Sequence, residues 1–147
     1  MVRISTAVAA VLLMGVLSSA AMGQTTRPTT MPSQVFNWDQ MKVDTTAIGE
    51  KRNLMRMETA TLSELEIHIT TLKPGEQSHP PHKHPYEEMM LLKEGTLEAT
   101  INGKTFPMPQ GSIFVVAPND LHNVRNVGTT PATYFVVSWK TPKTGKP

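Results

Sequence analysis

From residue 63 onward the sequence is a succession of short strand-like runs separated by turn residues, with no amphipathic helix of ordinary length. Asn102-Gly103 lies between two of these runs, and this dipeptide strongly favours a two-residue hairpin turn. Gly75, Gly95 and Gly111 separate other runs. Many short strands at this spacing are typical of an all-β barrel or sandwich. The predicted strands cover residues 63–72, 78–84, 88–93, 97–101, 104–108, 112–116, 122–126 and 133–139.

Three histidines and one glutamate occur at offsets that suggest a common metal ion: His82, His84, Glu88 and His122. Residues two apart on a strand point to the same face, so His82 and His84 can aim at one point. A straight strand would carry Glu88 roughly 13 Å beyond His84, so the chain must turn between them, and Pro85 fits such a turn. Imidazole nitrogen and carboxylate oxygen suit Fe, Mn, Ni, Cu and Zn. We therefore expect one divalent ion at these four residues.

Glu87 competes with Glu88 for the role of carboxylate ligand. The return strand that begins here alternates between two faces, and both faces carry apolar residues further along. Alternation alone therefore does not decide between the two glutamates.

The sequence resembles the two motifs of the cupin family, small β-barrels of the jelly-roll kind. The matching residues are Gly75, His82, His84, Glu88 and Gly95 for the first motif, and Gly111, Pro118, His122 and Asn126 for the second. One extra residue lies between Gly75 and His82, and Asp120 replaces a glycine of the second motif with His122 one position earlier. Both departures fall in predicted loops, so they concern loop shape more than ligation.

The resemblance implies an all-β fold, a single jelly-roll/cupin β-barrel, extending over roughly residues 58–139. It makes His82, His84, Glu88 and His122 the metal ligands, and its spacing favours Glu88 over Glu87. It also implies one divalent metal ion per chain, with Fe or Mn favoured over Ni, Cu or Zn, and a homodimer.

Cupins with this ligand set include oxalate decarboxylases, dioxygenases and sugar isomerases. The resemblance therefore implies a metal-dependent enzyme that acts on a small organic molecule, of an oxygenase, decarboxylase or isomerase type. Two alternatives stay open: a module in which the metal fixes a small ligand without turnover, and a metal that only stabilises the barrel. No acid–base group is evident in the sequence beyond the ligands.

The two remaining histidines have less specific interpretations. His79 lies in a Pro-rich loop at the rim of the predicted site, and we interpret it as a surface residue, with a proton donor as the alternative. His68 alternates with apolar residues and shares a strand face with Glu66 and Thr70. We interpret that face as the polar side of a half-buried strand.

Three other polar side chains are predicted to have mainly structural roles. Tyr86 and Tyr134 are expected to pack against the barrel, with contact to a bound ligand as the alternative. Asn126 is expected to anchor local backbone, because asparagine readily bonds the main chain.

The first 23 residues have the pattern of a secretory signal peptide. Arg3 precedes an apolar run over residues 4–17, and small residues at Ala21 and Gly23 precede Gln24. A membrane span needs about 20 apolar residues, which is more than this run offers. We expect an exported, periplasmic or secreted protein with no membrane span after cleavage, and an uncleaved N-terminal anchor is the alternative.

The rest of the chain divides into residues 24–34, a Thr- and Pro-rich flexible linker, 35–140, the cupin domain, and 141–147, a disordered tail. Residues 41–57 are expected to be irregular, with one short strand near Leu54. The 14 basic and 12 acidic residues form no basic stripe, so no nucleic-acid partner is expected. The absence of cysteine excludes disulfides and thiolate ligands.

Overall fold

The computed structural model describes residues 31–144, which form nine strands and one short 3₁₀ helix. After the helix at Trp38–Gln40, the strands are β1 Asp44–Thr46, β2 Gly49–Met57, β3 Glu64–Leu72, β4 Glu87–Glu94, β5 Leu97–Ile101, β6 Lys104–Met108, β7 Ile113–Val116, β8 His122–Asn126 and β9 Ala132–Lys140.

The strands form two antiparallel sheets with a shared apolar core. One sheet has six strands in the order β1-β2-β3-β9-β4-β7, and the other has three in the order β6-β5-β8. The fully buried core residues come from both sheets and include Leu72, Leu92, Leu97 and Val124. This arrangement of jelly-roll sheets confirms the predicted all-β fold.

The predicted hairpin at Asn102-Gly103 is confirmed. Both residues have positive φ angles, 48° and 82°, as a type I′ turn requires. The turn joins β5 to β6, whose ends coincide with the predicted ones.

Gly95 occupies the crossing from the six-stranded sheet to the three-stranded one. Its φ is 90°, and a Cβ atom here would lie 2.6 Å from the Cα of Ala132. Only glycine combines this backbone conformation with so close an approach.

The side chain of Asn126 anchors three backbone groups, as the sequence predicted. Its Nδ2 donates to the carbonyl oxygens of Leu72 at 2.9 Å and Thr130 at 2.8 Å, and its Oδ1 accepts from the amide of Gly128 at 2.9 Å. Because Asn126 is fully buried, these bonds replace all the water that its amide would otherwise bind.

The expectation that residues 41–57 are irregular was wrong. They contain β1 and the nine-residue strand β2, which pairs with β3 along its whole length. A bulge between Asn53 and Met55 shifts the register and interrupts the alternation of polar and apolar residues. Because the pattern is interrupted, sequence periodicity does not indicate the full length of β2. The bulge lies at Leu54, near which only a short strand was predicted.

The predicted strand over residues 78–84 was also wrong. Within this range only His82 forms an isolated bridge, to His122, and a second bridge joins Gln77, just before the range, to Arg125. Pro80 and Pro81 have no N–H to donate, so a continuous ladder cannot form between the bridges.

Trp38 covers part of the outer face of the six-stranded sheet. Its ring centroid lies 6.4 Å from that of Phe135, and the Arg52 guanidinium and the Lys93 ammonium lie 4.7 and 3.9 Å from the Trp38 centroid. Such cation–π contacts hold the segment that precedes β1 against the sheet.

The predicted signal peptide lies outside the described residues, as does most of the predicted linker. Of the predicted tail, residues 141–144 form a turn in which the Thr144 amide donates to the Thr141 carbonyl at 3.0 Å. Within residues 31–144 there is no helix with the length and hydropathy needed to cross a membrane.

Candidate metal centre

Three histidines meet where the loop after β3 approaches the start of β8. His82 and His122 form a two-bond bridge, with N–O distances of 3.1 and 2.9 Å between their main chains. His84 follows two residues after His82 and points to the same place. One potential ligand atom from each of the three residues lies within 4.8 Å of the others, so these side chains are positioned to bind a metal ion.

Backbone carbonyls orient two of the imidazoles. Nδ1 of His84 lies 2.7 Å from the carbonyl oxygen of Tyr86, and Nδ1 of His122 lies 2.9 Å from that of Asp120. A carbonyl only accepts, so each Nδ1 carries the proton and each Nε2 keeps its lone pair. Both Nε2 atoms are buried and have no hydrogen-bond partner within residues 31–144. Such an arrangement is typical of histidines that bind a metal.

The carboxylate of Glu88 joins this group. Its Oε1 lies 3.5 Å from Nε2 of His122, and its Oε2 lies 3.9 Å from Nε2 of His84. Oε1 is buried without a hydrogen-bond partner among the described residues. Glu87, the alternative in the sequence, points to the opposite face of β4 and does not line the cavity beside the histidines.

Electrostatics at the site favours an ionised carboxylate. Burial alone would raise the pKa of Glu88, but the attraction of His122 and His84 outweighs burial and lowers that pKa. Burial opposes protonation of His122, but the interactions with Glu88 and the Asp120 carbonyl raise its pKa. Burial and the neighbouring imidazoles lower the pKa of His82. A bound cation would take the place of the protons that the Glu88 carboxylate and the neighbouring imidazoles share.

The loop before His122 is held by a hydrogen-bond network at the β5–β6 hairpin. Asn102 donates from Nδ2 to Asp120 Oδ1 at 2.8 Å, and its Oδ1 accepts from the Leu121 amide at 2.9 Å. Asp120, which departs from the cupin motif, therefore has a structural role. Sequence analysis missed Asn102 as a residue that positions the site, because its tie to Asp120 spans 18 residues.

His82 and Glu88 also line a cavity of about 350 Å³ between the strands, so the group of histidines adjoins this cavity. Residues with hydroxyl groups line it as well: Thr46, Thr70, Ser78, Tyr86, Tyr134 and Ser138. Glu66, His68 and Thr70 of β3 all face the cavity, so the polar side of β3 is its inner side. The alternation in the sequence predicted a polar face on β3, but it did not predict that this face lines a cavity.

Both tyrosines line the cavity, so the prediction that they only pack is incomplete. The Tyr86 ring stacks on His84 with centroids 3.9 Å apart and an interplanar angle of 3°. Tyr134 is 2% exposed, and burial raises its pKa to about 12. The phenol of Tyr134 is therefore a neutral group at physiological pH.

His79 is exposed and lies at the rim of the cavity, with its ring centroid 4.0 Å from that of His82. Its Nδ1 lies 3.1 Å from the carbonyl oxygen of Pro80. It is not one of the three histidines whose nitrogens converge.

Comparison with known families agrees with this geometry. The family model described as "Cupin domain" matches residues 68–138, which contain all four predicted ligands. The chain carries a small cupin domain. The residues of both motifs lie within this match, and the two sheets that carry them extend beyond it.

Two curated relatives match part of this cupin. A protein named polyketide synthase CurC from Streptomyces cyaneus is 32% identical over 85 residues, which is 57% of this chain and 54% of that protein. L-ectoine synthase from Halomonas elongata is 32% identical over 60 residues, or 40% of this chain and 44% of that protein. The chain therefore spans about half the length of the curated relatives it matches.

Solved cupin structures share the fold over most of the chain. KdgF from a Halomonas species superimposes with a TM-score of 0.61 at 14% identity, covering 76% of this chain and 98% of that one. A predicted oxalate decarboxylase from Thermotoga maritima gives 0.59 at 18% identity, covering 73% and 99%. These identities support the fold alone.

Proposed function

We propose that this cupin is a metal-dependent enzyme that acts on a small organic molecule. The observation that supports it most is the convergence of three imidazoles and the Glu88 carboxylate beside a cavity lined by both polar and apolar side chains. A structural metal site usually keeps no coordination position open for a ligand. Here a 350 Å³ cavity adjoins the site, which gives a substrate access to an ion held there.

In this proposal His82, His84, Glu88 and His122 hold one divalent ion. When bound, the ion would act as a Lewis acid that polarises an oxygen of the ligand. Four protein ligands leave one or two positions open on an ion that prefers five or six, and Fe or Mn fits this set, with Ni, Cu or Zn as alternatives.

The chain's own residues contribute binding and orientation. Tyr86 restrains the ring plane of His84 by stacking, and the Asp120 carbonyl restrains that of His122. Tyr134, Thr70 and Ser78 offer hydroxyl groups to a polar ligand, while Met90 and Val136 supply apolar wall. A compact molecule with both polar and apolar parts matches this lining.

Relatives that are named as enzymes support an enzyme over a binding module. Two proteins named as synthases align with it at 32% identity. The binding module remains the alternative in which the same site holds a ligand without turnover.

Metal analysis beside a functional screen tests the proposal. The protein, purified without a histidine tag, is analysed for metal and then screened for oxygen consumption, decarboxylation and isomerisation of small hydroxy and keto acids and sugars. We expect about one Fe or Mn ion per chain and turnover that disappears in His84→Ala. The exposed histidine variant His79→Ala is the matched control and should keep its metal. Metal and ligand binding without turnover in any screen would favour the binding module, and no metal after reconstitution would overturn the proposal.

We also propose that the protein is exported. The support is the apolar run over residues 4–17 with small residues before Gln24. Edman sequencing of the protein isolated from its native cells should begin at Gln24, and an intact N-terminus would contradict cleavage.

Finally, we propose a homodimer. The outer face of β4 and the edge strand β7 exposes apolar side chains, with Ile113 63%, Val115 62% and Leu91 37% exposed. An apolar patch on a short edge strand is a surface that a second copy can bury. Light scattering should give the mass of two chains, and Ile113→Lys should shift it toward one; a wild-type monomer would contradict the proposal.

A further inference from the structure

His68 faces the cavity from the strand opposite the histidine ligands. β3, β9 and β4 pair in register, so that Glu66, Ser138 and Glu88 form one row across the sheet. His68 lies in the next row, on the same inner face, together with Val136 and Met90. A residue of β3 is therefore presented to the same cavity as Glu88, two strands away from it.

The imidazole of His68 is held beside a carboxylate. Its Nδ1 lies 3.2 Å from Oε1 of Glu66, and the other oxygen of Glu66, Oε2, lies 3.7 Å from a guanidinium nitrogen of Arg56. The side chains of His68 and Glu66 are 16% and 22% exposed. An imidazole beside a carboxylate that is itself anchored is the arrangement found where a histidine transfers protons.

A histidine with only a packing role would have its buried nitrogens satisfied by well-aligned hydrogen bonds. Nδ1 of His68 is buried, and no hydrogen bond of good geometry reaches it within residues 31–144. His68 is also absent from the set of nitrogens that converge on the metal position. Because Nδ1 lies against Glu66, Nε2 is the nitrogen of His68 that is left for a ligand when the other three histidines are occupied.

Burial and the charges around His68 keep its imidazole neutral in the ligand-free protein. Burial lowers its pKa, Lys51 lowers it further, and Glu66 and Glu88 partly oppose this effect. Lys51, Glu66 and Glu88 are the charged groups that act on it from β2, β3 and β4. At neutral pH the ring consequently has a free lone pair.

We propose that His68, oriented by Glu66, is the proton acceptor for a ligand bound in the cavity. The inference rests on the proposed function, because it requires a ligand held at the metal position. In the step, an O–H or acidic C–H bond of the ligand breaks, the proton forms an N–H bond on His68, and the electron pair stays on the ligand. Glu66 stabilises the imidazolium that results, and Arg56 fixes Glu66.

Calorimetry with acetohydroxamic acid tests the step without requiring a known substrate. This weak acid is protonated at neutral pH and binds zinc as its anion, so binding must transfer one proton. Titrations of the zinc-loaded protein in two buffers with different ionisation enthalpies report whether that proton enters the buffer. We expect little release by the wild type, since His68 takes the proton, and release of about one proton by His68→Gln.

His79→Gln is the matched control, because His79 also borders the cavity but is exposed and pairs with no carboxylate of residues 31–144. It should behave as the wild type. Release of about one proton by the wild type would overturn the role of His68 and leave the proposed function standing. Absence of any binding to the zinc-loaded protein would instead overturn the proposed function and this inference with it.

Chemical modification gives a second readout that depends on neither turnover nor ligand binding. Diethyl pyrocarbonate modifies neutral, accessible imidazoles, and bound zinc protects the three ligand histidines. In zinc-loaded His79→Gln, His68 should be the modified residue found by peptide mass spectrometry, and Glu66→Gln should change its modification rate by several-fold. An unmodified His68 would show that its ring does not exchange with the cavity and would overturn the inference.

Discussion

Oε1 of Glu88 lies 3.5 Å from Nε2 of His122. This distance is long for a hydrogen bond, which for N–H···O is about 2.9 to 3.0 Å. Neighbouring ligands about 2.1 Å from an ion lie roughly 3.0 Å apart at a right angle and roughly 3.4 Å apart at a tetrahedral angle, so a small inward shift would bring both atoms onto one metal. The pair thus has the geometry of neighbouring ligands, and this relationship underlies the first two predictions.

Loss of one imidazole should abolish metal binding. His122→Ala and His84→Ala each remove a buried Nε2 that has no hydrogen-bond partner among the residues that the structure describes. We expect metal content to fall from about one ion per chain to near zero while circular dichroism still shows β-structure. Elemental analysis checks this, with His79→Ala as the control, and full occupancy in either variant would contradict the assigned site.

The two adjacent glutamates should behave differently. Glu88→Gln replaces a charged oxygen near His84 and His122 with a neutral amide, and we expect metal affinity to fall at least about tenfold. Glu87→Gln changes the opposite face of β4 and should leave affinity unchanged. Competition with a metal-sensitive dye measures both, and a larger effect at Glu87 would reverse the assignment.

The β5–β6 hairpin should influence the metal site through Asn102. Asn102→Ala removes the bonds to Asp120 and the Leu121 amide, so His122 should become less well positioned. We expect a loss of about tenfold in metal affinity and about 1–2 kcal/mol in the free energy of unfolding. Asn53→Ala, which removes an exposed amide that donates to Asp44 and makes no contact with the β5–β6 hairpin or the loop before His122, is the control. If Asn102→Ala and Asn53→Ala changed metal affinity equally, the hydrogen bonds of Asn102 would not position His122.

Asn126 should matter for stability but not for metal binding. Asn126→Ala leaves the Leu72 and Thr130 carbonyls and the Gly128 amide without their partner in a buried place. We expect a loss of about 3 kcal/mol in urea unfolding of the metal-free protein. Metal stoichiometry of the folded fraction should be that of the wild type, and a loss below about 1 kcal/mol would show that water replaces these bonds.

Alkaline pH should destabilise the protein through Tyr134. Burial raises its pKa from the usual value of 10.0 to about 12, so the folded state keeps the phenol proton to higher pH than the unfolded state. The contribution of this proton to the free energy of unfolding is complete below pH 10. It amounts to about 3 kcal/mol and is lost between pH 10 and 12.

Urea unfolding from pH 9 to 12 measures this loss, and Tyr134→Phe, which has no phenol to titrate, isolates it. The stability difference between the two proteins should shift in favour of the variant as pH rises. A constant difference would show that the phenol of Tyr134 titrates normally.

Strands with regular alternation or a strong turn signal were predictable from local sequence. The strands β5, β6 and β8 were predicted to the residue, because Asn102-Gly103 and the flanking turns specify their ends. Strand β2 was missed because its bulge breaks the period-2 pattern and its stability comes from pairing with β3. The strand predicted over residues 78–84 does not form, because two prolines there have no N–H to donate and only isolated bridges remain.

The sequence by itself determined an all-β chain of short strands, and its resemblance to the two cupin motifs added the family and a candidate ligand set of three histidines and a glutamate. Local chemistry carries that information, because turn residues specify hairpins and because imidazole and carboxylate groups at these offsets indicate a metal site. Only the tertiary structure decided which glutamate faces the histidines, that Asn102 holds the loop before His122, and that His68 and Glu66 face the cavity. These relationships join residues far apart in sequence through strand pairing, and pairing register is not written in any local pattern.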